Sequence, residues 1–513
     1  MTIMDKEQEK EKKKKKKKKQ HLFFYKLISF ILVVLTFVSI GYVYYQDILP
    51  LSYLIIGSLA VLVVVYLNTI ILTKTKLRIW FKNIFAFVSI ILIIGEGLGL
   101  FFGTKTFDFL ESITDSGTRI SVYGVYVLKD SEYKKLKDLK DKNIFYLSTE
   151  DEVKIKNVLE DIKKDIEFNS DNEQTLEELI ESINNHDSDA IILDTSYEDI
   201  LSEEYENTYK NLKMIKKYKI KTNVDVLKSN KNITTDTFVM YVSGIDTSGN
   251  VASSARSDVN LLIGVNPKTH QILLVNTPRD YYVKLHTKQK MDKLTHAGIY
   301  GVEESLNTLA DLYETDIDYY ARINFTSFIK LVNALDGVTV DVPKDFCEQN
   351  SKRSFEQKDL ICLKKGTRTL NGEQALAYAR NRHAFNEGDR ARGEHQMEIV
   401  KAIINKAISP KIITKYTSIL NALDGRMTTN MDNRDITKFI KKQIRKNSSW
   451  SFTTISATGS DSSGVCYSTG SGKAYVMKPN EDSVKTIKQA FKNLFNGEEN
   501  IMPQTETTTT AKR

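Results

Sequence analysis

"RSDVNLLIGVNPKTHQILLVNTPRD" occupies residues 256–280. Two apolar runs, 258–266 and 271–277, flank the turn "NPKTH" and read as buried strands. A third run, "TFVMYVSG" (237–244), precedes them. Downstream, "VEESLNTLADLY" (302–313) places Val302, Leu306, Leu309 and Leu312 at helical spacing. "YYARI" (319–323) and "VTVDV" (338–342) read as strands with the helix "FTSFIKLVNAL" between them. "NGEQALAYAR" (371–380) is a helix opening on an asparagine cap, "RARGEHQMEIVKAIINKAI" (390–408) a longer one, and "SWSFTTIS" (449–456) a late strand. Strands alternating with helices of this length predict an α/β/α domain with a mixed central sheet, over 232–495.

Upstream, "RISVYGVYVL" (119–128), "NIFYL" (143–147) and "DAIILD" (189–194) read as strands. Residues 150–166 and 172–185 read as helices. They predict a small α/β accessory domain over 104–231, with 218–232 as a polar crossover. Before it lie three apolar runs, about 22–45, 50–72 and 80–103, each reaching the roughly 20 residues that cross a bilayer core. The run "EKKKKKKKK" precedes the first, and Lys74, Lys76 and Arg78 separate the second from the third. Cations mark the inner side, so the expectation is a cytoplasmic tail (1–21), three spans (22–103) and everything beyond outside the cell. The lysine run reads as a topology anchor, with attraction to anionic lipid as the other use. Residues 496–513 are expected to be a disordered tail.

Residues 1–103 hold 15 Lys and Arg against 6 Asp and Glu, which leaves 58 against 59 for the rest. The outer part therefore offers no electrostatic case for nucleic acid. Three cysteines make no disulfide framework; Cys347 and Cys362 flank a polar excursion, 345–365, and are placed so that they could bridge at its base. There is no GxxxxGK loop, no GxSxG elbow and no His/Cys pair at metal spacing.

Three clusters set charge at strand ends. Asp246 closes one strand and Asp258 opens the next, two carboxylates able to converge on a divalent cation such as Mg2+; turn capping is the plainer reading. Arg256 lies two residues before Asp258, and "NTPRD" sets Arg279 at a strand end. "YARNRHAFNEGDRARGEHQ" (378–396) holds Arg380 and Arg382 at one helix end, then Asp389, Arg390 and Arg392 at the start of the next. Gln396 shares a helix face with Arg392. A surface salt-bridge network is the alternative for this last stretch. Arginine grips phosphate and carboxylate in a planar fork, and together the clusters favour a pyrophosphate.

These blocks, with "KLTHAGIYGVEESLNTLADLY" (293–313), resemble the LytR-CpsA-Psr family, and most of all its capsular polysaccharide branch with an accessory domain. The core resemblance covers about 236–408. It implies an extracellular, plasma-membrane-anchored phosphotransferase that moves a glycopolymer from a polyprenyl pyrophosphate carrier to peptidoglycan. By the resemblance, Asp246 and Asp258 hold magnesium, and Arg256, Arg279, Arg380, Arg382, Arg392 and Gln396 grip the pyrophosphate. Arg279, Arg380 and Asp258 are then the catalytic residues. The carrier's tail would lie in an apolar tunnel between sheet and helices. Capsule synthesis machinery is a further expected partner, nucleic acid is not, and Lys293 sits in a family motif without an assigned role. The alternative is a non-catalytic polyprenyl-pyrophosphate-binding regulator of capsule synthesis.

Overall fold

The computed structural model describes residues 3–46, 51–74, 76–115, 117–149, 151–245, 254–351, 354, 356–381, 384–385, 389–407, 412–423, 426–446 and 449–503. The chain forms two compact units, residues 1–110 with 436–447 and residues 111–435 with 448–513. The first contains three long helices, α1 (Ile3–Tyr45), α2 (Leu51–Thr73) and α3 (Ile79–Ile113). Each is long and apolar enough to cross a membrane by length and composition. Polar side chains join them: Thr36 donates to Glu96 at 2.7 Å, and Asn68 to Ser89 at 2.6 Å. Glu96, a carboxylate in an apolar helix, thus faces a neighbouring helix. The third helix runs past 103, to Ile113.

In the second unit, the first lobe is a five-stranded sheet, in order β3-β2-β4-β1-β5. Its strands are β1 (Thr118–Leu128), β2 (Asn143–Leu147), β3 (Asn169–Glu173), β4 (Ala190–Asp194) and β5 (Leu212–Asn223). Helices α4 (Glu152–Lys163), α5 (Leu176–Asn184), α6 (Glu198–Glu204) and α7 (Glu206–Asn211) complete it. Two of these strands escape the sequence pattern. The reading of 218–232 as a crossover is corrected through residue 223, because β5 pairs along the whole of β1, Thr118↔Asn223 to Leu128↔Leu212. Lys213, Lys217, Lys219 and Lys221 are exposed on it, as expected of an edge strand, and they mask its apolar alternation. β3, "NSDNE", has no apolar residue to signal it.

The second lobe is built on a six-stranded mixed sheet, β16-β11-β6-β7-β8-β17. Its strands are β6 (Phe238–Ile245), β7 (Ser257–Asn266), β8 (Gln271–Asn276), β11 (Tyr319–Asn324), β16 (Met427–Thr429) and β17 (Ser451–Ser456). Between β8 and β11 come the short pair β9 (Tyr282–Lys284) and β10 (Met291–Lys293), then α8 (Leu294–Ala297) and α9 (Val302–Tyr313). After β11 follow α10 (Phe325–Ala334), β12 (Val338–Val342), β13 (Phe346–Glu348), β14 (Ile361–Leu363) and β15 (Gly366–Leu370). Helices α11 (Gly372–Arg380), α12 (Asp389–Ala407) and α13 (Ile412–Leu423) follow, and α14 (Asn433–Lys446), most of which belongs to the first unit, comes before β17 in the chain. The pair β18 (Gly459–Val465) and β19 (Lys473–Pro479) and helix α15 (Glu481–Asn496) end the fold.

Alternation along the strands sorts the core into two layers. Leu262, Leu273 and Val275 pack with Leu306 and Leu309 of α9 and Phe491 and Leu494 of α15. Leu261, Ile272 and Leu274 pack with Met397, Val400 and Ile404 of α12. Each such buried side chain contributes about 2 kcal/mol by leaving water. Gly264 admits α15, since a Cβ there would lie 2.5 Å from Leu494 Cδ2. The expectation of a disordered tail from 496 is corrected through residue 501: Ile501 is buried in the first of these layers, and Gln271 Nε2 donates to the carbonyls of Glu498 and Glu499. The expected tail from 504 on lies outside the described residues.

The polar excursion is a hairpin, with Cys347 directly opposite Cys362 on β13 and β14 and joined to it by a disulfide. Closing a loop with a sequence separation of 15 stabilises by about 3 kcal/mol. Cys466 is free and buried, and burial pushes its thiol up to about 12. A thiol reagent should therefore find no readily labelled cysteine in the native chain, one after unfolding without reductant, and three after unfolding with it. Mass spectrometry of the labelled chain reads the count.

Candidate active site

The site begins with an irregularity in the central sheet. Gly244 pairs with Val259 and Ile245 with Ser257, so Asp258 is the extra residue of a bulge between β6 and β7. Bulges re-aim side chains where a sheet must present one. Asp258 Oδ1 accepts from Arg279 Nη1 at 3.0 Å and from Thr295 Oγ1 at 3.3 Å. Burial alone would raise its carboxyl, but the charges of Arg279, Arg256 and Arg392 outweigh this and hold it below the usual carboxylate range. Arg279 follows β8 and also lies 3.5 Å from Asp280. Its carbonyl accepts from the Thr295 amide, which ties the two partners of Asp258 together.

A cavity of about 320 Å³ opens beside this pair. Arg256, Asp258, Arg279, Arg380, Arg392 and Gln396 all line it, with Val242, Val259, Phe325, Phe328, Leu376 and Ile399 among the apolar side chains of its wall. Sheet and helices bring these residues together from three separate stretches of sequence. Arg380 ends α11 over the Phe325 ring, 5.3 Å from its centroid, and burial lowers its pKa. Gln396 donates to the Ala379 carbonyl at 3.2 Å, fastening α12 to α11. Gly393 lets α12 approach the sheet, because a Cβ there would lie 2.0 Å from Asn276 Nδ2. Arg390 points away: it is exposed and pairs with Glu394 at 3.4 Å. The surface-network alternative thus holds for Arg390, while Arg392 two residues on lines the cavity. Asp246 and Arg382 lie outside the described residues, and the side chain of Asp389 does too.

Other residues reach the site that sequence reasoning passed over. Glu203, from α6 of the first lobe, lines the cavity and grips Arg256 with both oxygens, at 2.7 and 2.9 Å. Asp199 lies 3.5 Å from Arg256 Nε, and Glu204 3.5 Å from Lys293 Nζ. No motif or spacing in the sequence around 199–204 marks these carboxylates. Glu348 and Gln349, from the disulfide-closed hairpin, line the cavity as well. Beneath it Arg322, only 2% exposed, donates to the Ala255 carbonyl at 3.1 Å and so steadies the chain ahead of Arg256. A cation inside the apolar strand "YYARIN" is the one signal that marked it. Asp292 and His296, buried and 2.7 Å apart, fix the junction of β10 and α8 that carries Lys293 and Thr295; Ser468 also donates to Asp292.

His395, in the same stretch as Arg392, is a core residue stacked on Tyr378 (4.2 Å between ring centroids) and edge-on to Phe385 (4.7 Å). Burial lowers its pKa to about 4. The unfolded chain takes up this proton near pH 6.5 and the folded chain near 4. Stability from this residue is therefore complete above 6.5 and falls by up to about 3 kcal/mol as the pH drops toward 4. His395→Phe should remove that slope in denaturant unfolding measured across this range.

The family model described as the LytR_cpsA_psr family matches residues 202–483. TagT of Bacillus subtilis strain 168, a polyisoprenyl-teichoic acid–peptidoglycan teichoic acid transferase, is 37% identical over 204 residues, covering 39% of this chain and 62% of that protein. TagU of the same strain, of the same description, is 30% identical over 239 residues, 45% of this chain and 72% of that protein. The crystal structure of B. subtilis TagV aligns with a TM-score of 0.43 at 27% identity, over 51% of this chain and 98% of that one. The chain thus spans less than two thirds of TagT's length, while the family model accounts for more than half of the chain's own 513 residues. The protein belongs to the LytR-CpsA-Psr family.

Proposed function

We propose that this protein is a membrane-anchored transferase that moves a glycopolymer, capsular polysaccharide or a related polymer, from a polyprenyl pyrophosphate carrier to peptidoglycan outside the cell. The observation that carries the reading is the cavity, where Arg256, Arg279, Arg380 and Arg392 share a pocket with an apolar wall. Fixed guanidinium groups suit a pyrophosphate, and the apolar wall suits a prenyl chain. The names of TagT and TagU, transferases of polyisoprenyl-linked teichoic acid to peptidoglycan, support the substrate class. The three apolar helices support anchorage in the membrane that holds such a carrier, and the lysine run before the first supports an outer location for the site.

In this reading the acceptor hydroxyl attacks the phosphorus that carries the polymer. The bond from that phosphorus to the bridging oxygen breaks, and polyprenyl monophosphate leaves. Arg279, Arg380 and Arg392 neutralise the charge gathering on the leaving phosphate. An aspartate of the pair Asp246 and Asp258 takes the hydroxyl's proton. Asp258 also fits a hard divalent cation: among the described residues both side-chain hydrogen bonds to its carboxylate end on Oδ1, and Asp246 follows Ile245, whose backbone pairs with Ser257. Bound there, Mg2+ would supply further neutralisation of the pyrophosphate.

The test is the mass of the lipid product. The full chain in detergent is given Mg2+, a polyprenyl-pyrophosphate-linked saccharide and peptidoglycan fragments. Release of polyprenyl monophosphate is expected; polyprenyl pyrophosphate would mean that the glycosidic bond is cut instead. Tight binding without release would favour a non-catalytic regulator of capsule synthesis. Arg279→Ala should lower turnover by roughly 100-fold or more. Chelation with EDTA should lower it at least about tenfold, restored by added Mg2+.

A further inference from the structure

Arg256 is the most enclosed of the cavity's arginines, 6% exposed, and its enclosure comes from the other lobe. Glu203 of α6 meets its two Nη atoms with two oxygens, the fork-on-fork arrangement that a phosphate would also take. Asp199 stands at its Nε, so α6 sets two carboxylates around one guanidinium. The partners are unequal. The guanidinium is buried, whereas the Glu203 carboxylate is 42% exposed and lines the cavity itself. Burial would raise the Glu203 carboxyl, yet hydrogen bonds from Arg256, then its charge and that of Arg279, hold it ionised. A fixed negative charge therefore sits on the wall of a pocket whose four arginines outnumber its other carboxylates, Asp258 and Glu348.

Resting on the pyrophosphate reading of this cavity, we infer that Glu203 is an affinity-determining residue of the site, a carboxylate that competes with the substrate's phosphate for Arg256. The first lobe then belongs to the binding site. Where a phosphate takes the Arg256 fork, α6 loses its main ionic hold, leaving Asp199 at the Arg256 Nε and Glu204 on Lys293, each at 3.5 Å. Ligand binding and docking of α6 oppose each other, and by linkage the antagonism is equal in both directions.

The experiment measures the affinity of the full chain in detergent for a polyprenyl pyrophosphate without saccharide. Glu203→Gln keeps the shape and removes the charge, and should bind about tenfold tighter than wild type, the scale of one charge-assisted pair. Glu203→Asp keeps the charge and should stay near wild type. A gain in affinity cannot come from damage to the fold. If wild type binds and Glu203→Gln binds equally or more weakly, the competition is refuted while the function stands. If wild type binds no polyprenyl pyrophosphate, the functional reading falls and this inference with it. Amide exchange gives an independent measure in wild type: residues 198–204 should exchange faster with the lipid present, and unchanged or slower exchange would overturn the competition.

Discussion

The pair between Asp258 and Arg279 is the contact on which the rest of the site depends. It exists because the ladder between β6 and β7 gives up one pairing, and the residue left over carries a carboxylate. Straightening the bulge would return Asp258 to the alternation and turn it to another face of the sheet. The carboxylate needs cations to stay ionised where it is, and Arg279, Arg256 and Arg392 each reach it from a different strand end or helix. The arginines in turn have Asp258 as a shared counter-charge. Neither the sheet nor the helices alone make the site; the charge balance requires both.

The fold supports this by packing both faces of the sheet. α12 covers one face with Met397, Val400 and Ile404, and the same helix presents Arg392 and Gln396 to the cavity. Gly393 permits the close approach. His395, one residue before Gln396, anchors among Tyr378 and Phe385, so binding and core residues alternate along a single turn. The stretch that looked like an excess of charge is divided by helical geometry into an exposed pair, a cavity wall and a core contact.

Much of this was legible because it is local. The strands around "NLLIGV" and "ILLV" carry unbroken apolar runs, and the helices carry caps and periodicity. The arginines were legible because their spacing sets them at element ends. The strand at 212–223 was not, since its pairing is decided by β1 while its own lysines follow solvent. Glu203 was invisible for a different reason. Its partner lies 53 residues away, and nothing in "ILSEEYE" distinguishes a carboxylate facing a guanidinium from one facing water. Arg322 was noticeable in principle, as a charge inside a buried strand, but its target, the Ala255 carbonyl, is fixed only by the sheet order.

The contact between α6 and Arg256 also bears on how far the two lobes are modules. The boundary suggested by composition, near residue 231, falls after α6, and the family model already begins at 202, within that helix. A chain trimmed to start at 232 would keep every strand of the second sheet and every arginine of the cavity. It would nonetheless strip one guanidinium of both carboxylates and open to water a surface that now holds Tyr300 against Tyr197 and the Thr469 carbonyl against Tyr205. The natural seam by chain direction is therefore not a seam by electrostatics. Swapping first lobes between relatives would exchange part of the anion site along with the scaffold.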